Sequence, residues 1–382
     1  MHFPETFLNL SDERFVVHYQ VLAANASEAR TRTQGICLEQ TVELPEALLG
    51  QDDLREKIIG RVEKLDEIAP GQYQAAISYA IETTAFEFTQ FLNVIFGNTA
   101  MQTGIRVLRL DMPDSLLKEF PGPRFGQAGL RWLVGVDSRP LLCTALKPMG
   151  LSAEDLATLA QQIALGGVDI IKEDHGLTDQ PFARFSDRVA RCAEAIRRAN
   201  SQTEYHCLYV PNITAPADQF FERAYEAKRR GAGGVMIAPG LVGWDAIRLL
   251  ATDDACALPI FSHPAWLGTF VIDSDHGLSH QVVFGQLPRL AGADATIFVN
   301  YGGRFPFSQQ DCRSIVFGAT SAFGSYPPIF PVPAGGMTLG HLPEMYNFYG
   351  SQVIFLIAGG LYAYGPDLTA NARQFRRQVE AL

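Results

Sequence analysis

Charge is scarce in this sequence of 382 residues, and its cysteines form no pattern. Asp, Glu, Lys and Arg together make up 19%, and 41 acids outnumber 31 bases, for a formal net charge of −10. Without an excess of Lys and Arg the chain lacks the electrostatic footprint of a nucleic-acid or anionic-membrane binder. The balance leaves room for a local basic pocket that takes one small anion. Cys37, Cys143, Cys192, Cys207, Cys256 and Cys312 are scattered, with no CxxC pair. That argues against a structural zinc site and a disulfide framework, and fits a reducing cytoplasm. No apolar run reaches the roughly 18 residues of a membrane span. The opening stretch, MHFPETFLNLSDERF, carries early acids, so no signal peptide is expected. What is present is ordinary globular composition, 47% hydrophobic, which excludes disordered and low-complexity arrays. At roughly 100–200 residues per domain, the length allows two domains.

The two parts of the chain read differently. Arg14–Ala23 is β-branched and aromatic and reads as a strand, Ser27–Leu38 as a helix. Gln72–Ile81 and Ile105–Leu110 read as further strands with a helix near Thr84–Ile95 between them, an α+β pattern. Pro121, Gly122 and Pro123 mark the boundary region, and the chain divides as 1–130 and 131–382. From Pro140 onward, short apolar runs recur at Leu141–Leu146, Val168–Ile171, His206–Val210, Gly234–Ile237, Pro259–Ser262, Thr296–Val299, Ile329–Val332 and Val353–Ile357. Amphipathic stretches such as Ala153–Ile163, Arg184–Ala199 and Gln219–Arg230 lie between them. Eight strand–helix units in about 250 residues is the size of a parallel (β/α)8 barrel. A doubly wound sheet is the alternative, but no GxGxxG follows the first strand.

A parallel barrel carries its site at the C-terminal ends of the strands. Reactive residues follow the predicted strands repeatedly. Lys147 follows the first, Lys172-Glu173-Asp174-His175 the second, Asn212 the third and His263 the fifth. Asn300 and Arg304 follow the sixth, and the pairs Gly335-Gly336 and Gly359-Gly360 the seventh and eighth. Taken singly, Lys147 reads equally as a solvated rim charge, His263 as a hydrogen-bonded core histidine, and each glycine pair as a tight turn. Together, the glycine pairs stand where barrel enzymes often bind phosphate. On an extended strand Lys172 and Asp174 share one side and Glu173 faces the other. A neutral lysine can react with CO2 to give a carbamate, an oxygen ligand; with Asp174 it suits Mg²⁺. His175 adds nitrogen, which suits a softer divalent metal. A Lys172–Asp174 ion pair without metal is the other reading.

The stretch Gly166–His175, with Gln180-Pro181-Phe182-Ala183-Arg184-Phe185-Ser186-Asp187-Arg188, resembles a signature of the RuBisCO large-chain family, and most closely of its RuBisCO-like (form IV) members. Leu146-Lys147-Pro148, Asn212-Ile213-Thr214 and Pro333-Ala334-Gly335-Gly336 resemble further family segments in the same order. Asn98 resembles the active-site Asn of the N-terminal domain, and Glu39 falls near that domain's Glu. The resemblance implies a smaller N-terminal α+β (ferredoxin-like) domain, a C-terminal (β/α)8 TIM barrel and a homodimer. In that dimer the N-terminal domain of one chain completes the barrel site of the other; no small subunit is expected. It also implies a carbamylated Lys172 holding Mg²⁺ with Asp174 and His175.

The departures shape the expected function. KPMG keeps only Lys147 of two family lysines; His175 replaces a ligand Glu. His263-Pro264 stands for a His-Arg pair, Ile297-Phe298 for His-Ser, Arg304 for a mobile-loop lysine and Ala334 for a serine. One phosphate site survives and the groups for a second are missing, so ribulose-bisphosphate carboxylation is not expected. The resemblance then implies a cytoplasmic isomerase or lyase that enolises a small phosphorylated keto sugar or sugar acid. Lys147, Lys172, His263, Asn98 and Glu39 are its catalytic candidates. Arg304, Gly335, Gly336, Gly359, Gly360 and Asn212 are its substrate-binding ones. Related proteins tautomerise methylthio-ketose phosphates or act on branched oxo-acid phosphates, and Met149, Trp266, Phe298 and Phe305 are candidates for an apolar end, or else rim packing. The alternative class is a non-catalytic binder or regulatory protein that kept the fold.

Overall fold

The computed structural model describes residues 7–49 and 53–382; residues 1–6 of the opening stretch lie outside them. Strand β1 (Arg14–Leu22) buries every second side chain, so Phe15, Val17, Tyr19 and Val21 point to the same core face. It pairs antiparallel with β3 (Gln72–Ala80) and β4 (Ile105–Asp111), and β3 pairs with β2 (Arg61–Ala69). The helices Ala26–Glu39 and Phe88–Phe96 complete a ferredoxin-like unit, sheet order β4-β1-β3-β2. Asn25 caps the first helix by accepting from the Ser27 and Glu28 amides. Phe88, Phe91 and Phe120 fill the space beneath the sheet with ring centroids 5.5–6.2 Å apart. The edge strand β2 carries charged residues along most of its length and is exposed on both faces, so it shows none of the alternation that marks its neighbours.

The second half is the expected barrel. Strands β5 (Leu141–Leu146), β6 (Ile170–Glu173), β7 (Leu208–Val210), β8 (Val235–Ile237) and β9 (Ile260–Ser262) precede β10 (Gly277–Leu278). Strands β11 (Ala295–Val299), β12 (Phe330–Ala334) and β13 (Ile354–Leu356) follow it. All the barrel strands run parallel, in the order β7-β6-β5-β13-β12-β11-β9-β8. A bridge between Asn212 and Met236 nearly closes the ring between β7 and β8. The two-residue β10 (Gly277–Leu278) leaves the barrel to pair with β4, stitching the two sheets together.

Inside the barrel Leu141, Ile170, Phe261, Phe330, Val332 and Ile354 pack in a core of their own. The helix Gly126–Val134 plugs its N-terminal end with Leu130 and Val134. Asp294 fastens that plug by accepting from the amides of Phe125 and Gly126, both at 2.7 Å. The division at 130 and 131 falls within this helix. Among the described residues no helix is long and apolar enough to cross a membrane. All six cysteines are buried free thiols.

Strand alternation on β6 decides the geometry above it. Ile170 and Lys172 face the barrel interior; Ile171 and Glu173 face the helix layer. There Glu173 is fully buried and so is its partner, Arg188. The guanidinium Nε donates to Oε1 at 2.6 Å and an Nη to Oε2 at 3.2 Å. Tyr209 Oη donates to Oε1 and the Asn212 amide to Oε2 at 3.0 Å. Both charges of this pair are therefore matched and hydrogen-bonded, which a buried ion pair requires. Arg188→Leu leaves Glu173 buried without its cation. We expect a loss of about 3–5 kcal/mol of stability in denaturant or thermal unfolding; unchanged stability would show that the network does not anchor β6.

Candidate active site

A cavity of about 430 Å³ opens at the C-terminal ends of the barrel strands. Lys147, Lys172, Asp174, His175 and His263 line it together with Arg304 and the two glycine pairs. Each reaches the cavity because it ends a parallel strand or begins the following loop. The expected residues Lys147, Lys172, Asp174, His175, His263, Arg304, Gly335, Gly336, Gly359 and Gly360 are thus brought together.

The ion pair differs from the Lys172–Asp174 pairing weighed from sequence. Asp174 Oδ1 lies 3.0 Å from Lys147 Nζ and 3.6 Å from His175 Nδ1. Burial works to raise the Asp174 carboxyl, but hydrogen bonds from His175 and Lys147 outweigh it and hold it below its ordinary value. Lys172 donates to the Glu173 carbonyl at 2.9 Å. Burial lowers Lys172 from 10.5 to about 8, with Lys147 adding repulsion and Asp174 opposing. His263 is buried and stacks on His175, ring centroids 4.6 Å apart and planes at 21°. Burial, then the charge of Lys172, keeps it well below the ordinary histidine value.

The glycines divide into two kinds. A Cβ on Gly335 or Gly359 meets nothing within 4 Å, so these two backbones face open space. A Cβ on Gly336 falls 2.8 Å from Gly303 Cα, and one on Gly360 falls 2.7 Å from the Met337 carbonyl. Those two are glycine because backbone approaches backbone, and the first contact brings the loop bearing Arg304 against the cradle. Arg304 sits over the Phe305 ring at 4.8 Å.

Three expectations need correction or relocation. Asn212 does not line the cavity: its amide nitrogen donates to the carbonyls of His175 and Leu177, both at 3.0 Å, and its oxygen accepts from Thr214. It shapes the loop that carries His175. Phe298 is buried on the outer side of β11 against Tyr349, because strand alternation turns Ile297 inward instead. Met149, Trp266 and Phe305 are exposed and do not line the cavity. Glu39 and Asn98 lie in the N-terminal sheet unit, away from this chain's own cavity. Asn98 Nδ2 donates to Glu39 at 3.1 Å and to Glu43 at 2.8 Å. Gln40 clamps their helix ends together, donating to the Asn93 and Val94 carbonyls and accepting from the Thr99 amide. Sequence reading passed over Ala145, Met337, Thr338 and Leu356, which also line the cavity with Ile297, the residue standing for a family His. Thr338 had a signal, since it follows the glycine pair; the apolar three carry none.

Among the described residues no three His, Cys, Asp or Glu side chains gather as a metal cluster. Asp174 and His175 would supply two donors to a divalent ion, and Lys172 a third were it carbamylated. Its burial beside Asp174 and its lowered basicity fit that chemistry.

The comparisons with known proteins agree with this geometry. Residues 128–382 match the family described as ribulose bisphosphate carboxylase large chain, catalytic domain. The chain is 38% identical over 367 residues to ribulose bisphosphate carboxylase-like protein 1 of Rhodopseudomonas palustris, covering 96% of this chain and 98% of that one. It belongs to the RuBisCO large-chain family. Within this family it is also 37% identical over 368 residues to the 5-methylthioribulose-1-phosphate isomerase of Rhodospirillum rubrum, covering 96% of each. The crystal structure of a RuBisCO-like protein from Rhodopseudomonas palustris superposes with a TM-score of 0.86 at 37% identity, covering 97% of this chain and 98% of that one. These likenesses place it among the RuBisCO-like members of the family.

The two kinds of glycine give a paired prediction. Gly335 has φ 90° and open space ahead of it, so Gly335→Ala adds a methyl group where an anion would sit. We expect phosphate-bearing ligands to bind about tenfold more weakly, about 1.4 kcal/mol, by calorimetric titration. Gly336→Ala should instead act mainly on the melting temperature. Equal phosphate affinity in Gly335→Ala would remove the cradle from the site.

Proposed function

We propose that this protein enolises a small monophosphorylated keto sugar or sugar acid, as an isomerase or a decarboxylating lyase, and does not fix CO2. One observation carries the reading: the cavity is lopsided. Gly335, Gly359 and Arg304 offer one anion site, while His263-Pro264 lacks the arginine that the family pairs with this histidine for a second phosphate. A bisphosphate would have to take its second anion to Lys147 and Lys172, which the chemistry at the carbonyl needs. The name of the Rhodospirillum rubrum relative, an isomerase of a ketose 1-phosphate, supports the same substrate class.

On this reading the phosphate rests on the glycine cradle and Arg304, which places the carbonyl end among Lys147, Lys172 and Asp174. A divalent ion, Mg²⁺ or a softer metal suited to His175, would be held by carbamylated Lys172, Asp174 and His175. Such an ion polarises a carbonyl and so acidifies the adjacent C–H. Lys172, as the amine or as its carbamate, takes the proton from carbon; Lys147, an ammonium paired with Asp174, returns one. Return at a different carbon gives isomerisation. Departure of CO2 from a β-keto acid reaches the same enolate. Residues 1–130 form the domain that lends Glu39 and Asn98 to the cavity of a second copy, and residues 131–382 the barrel domain. Asn98 and Glu39 already lie side by side and outside their own cavity, which supports a site completed between two chains.

Solvent exchange tests the function. Incubated in D2O with Mg²⁺ and ketose 1-phosphates, the protein should wash deuterium into the position beside the carbonyl, followed by proton NMR. Lys147→Ala should slow exchange by about 10²-fold or more. Exchange with no candidate would favour the non-catalytic binder, and labelled CO2 should stay at background with ribulose bisphosphate. The carbamate is checked separately. Because Lys172 is lowered to about 8, its neutral amine grows as pH rises through 8, so the ¹³C signal from labelled bicarbonate should grow from pH 7 to 9. That signal should vanish in Lys172→Met; a signal indifferent to this substitution would refute carbamylation at Lys172.

A further inference from the structure

Tyr362 stands outside the cavity, yet its hydroxyl ties two of the cavity's walls together. In β5 the odd-numbered residues turn their backbone groups toward β13. The Leu141 amide donates to the Val353 carbonyl and the Cys143 carbonyl accepts from the Ile357 amide, both at 3.0 Å. A parallel ladder repeats every second residue, so the next rung belongs to the Ala145 carbonyl and the Lys147 amide. β13 does not supply it, because the chain turns away at Ala358 (φ −107°, ψ −80°) into the short helix Gly359–Tyr362, which opens on the second glycine pair. The Tyr362 hydroxyl fills the missing rung, donating to the Ala145 carbonyl at 3.2 Å. Burial pushes this hydroxyl up to about 12, and the Lys147 amide, bonding to the same oxygen, opposes the rise. One hydroxyl thus grips the chain on both sides of Leu146. The turn that bears Tyr362 is itself held from behind. Buried Asn371, in the helix Leu368–Glu380, donates to the Leu361 carbonyl at 3.0 Å and to the Gly365 carbonyl at 2.9 Å.

We propose that Tyr362 is a positioning residue that sets the reach between the anion cradle and Lys147, and thereby selects substrates by the distance from their phosphate to the carbon that receives the proton. The chemical meaning of this assignment rests on the enolising function above; the link between the two backbones does not. Gly359 and Gly360 open the same helical turn that ends in Tyr362, and Lys147 directly follows the strand that the hydroxyl holds. The Lys147 side chain is half-exposed, and its ammonium has one partner in Asp174 at 3.0 Å. A flexible four-carbon stem lets such an ammonium reach many points, and fixing where the stem begins narrows them. With cradle and stem joined, a substrate seated by its phosphate meets the ammonium at one carbon. A substrate whose carbonyl lies farther along its chain presents the wrong carbon, and proton return slows because the transfer demands hydrogen-bond reach. Tyr362 itself touches no substrate and keeps its proton throughout.

Tyr362→Phe removes one oxygen and keeps the ring, so the fold survives while the rung is lost. Two measurements on the full-length protein test the assignment. In hydrogen-exchange mass spectrometry without substrate, peptides covering 145–149 should exchange faster in Tyr362→Phe, while those covering 353–357 keep their rate. Unchanged exchange over 145–149 overturns the proposal. The second measurement uses the deuterium wash-in assay, with a ketose 1-phosphate that the unaltered protein turns over and the 5-phosphate of the same ketose. In Tyr362→Phe, kcat for the 1-phosphate should fall about tenfold with KM within about twofold, because the phosphate still finds its cradle and the lysine no longer finds the carbon. The preference for the 1-phosphate over the 5-phosphate, measured as kcat/KM, should shrink about fivefold or more. A full rate, or a lower rate with the preference unchanged, overturns the proposal; so does a loss that falls on KM alone. Absence of exchange with every ketose phosphate in the unaltered protein defeats the enolising function instead, and the substrate-free measurement then still decides whether the hydroxyl joins the two backbones.

Discussion

The Glu173–Arg188 pair is the constraint on which the site depends. β6 has only four residues, and its neighbours along the strand point in opposite directions. A one-residue slip would turn Lys172 into the helix layer and bring Glu173 into the barrel. Both charges of the pair are fully buried, so such a slip would strand two ions without partners. The same carboxylate takes the Asn212 amide, and Asn212 in turn holds the carbonyls of His175 and Leu177. One ion pair thereby fixes the strand and the loop leaving it. The Asp-Arg tail of the sequence signature, far from the cavity, is explained by this layer through Arg188.

Above that anchor the cavity concentrates cations inside an acidic protein. Lys147, Lys172 and Arg304 face it against the single carboxylate of Asp174. Their crowding has two consequences. Lys172 is buried and next to another ammonium, so it gives up its proton near pH 8. Asp174, squeezed between His175 and Lys147, stays ionised despite its burial. An anionic substrate relieves the excess positive charge, and a lysine of lowered basicity becomes available for proton transfer. The two glycine pairs stand at the ends of β12 and β13, where the proposed function places the phosphate.

Much of this was legible in the sequence. The eight barrel strands show as apolar runs because both faces of a parallel sheet are covered, and all eight runs overlap strands in the structure. Lys147, Lys172, Asp174, His175 and His263 were legible because chemistry at strand ends follows from barrel geometry. β2 was missed because an exposed edge strand needs no hydrophobic alternation, and β10 because two residues make no pattern. Asn212 follows a strand as a binding residue would, yet it serves the chain's own carbonyls. Phe298 has the chemistry of a pocket wall but the wrong parity on its strand. Ala145 and Leu356 touch the cavity without any side-chain chemistry to announce it.

The sequence by itself determined the eight barrel strands, the family and the residues that follow the strand ends. These follow from local periodicity and from motifs whose members are close in the chain. Tertiary structure alone decided that Asp174 pairs with Lys147 rather than Lys172, and that Glu39 and Asn98 stand together away from their own cavity. It also decided that His263 stacks on His175 and accepts from the Ala265 amide. Each of these turns on a distance or a direction of a few ångströms between groups that packing brings together. A strand's parity can be read from one chain segment; the partner across the barrel cannot.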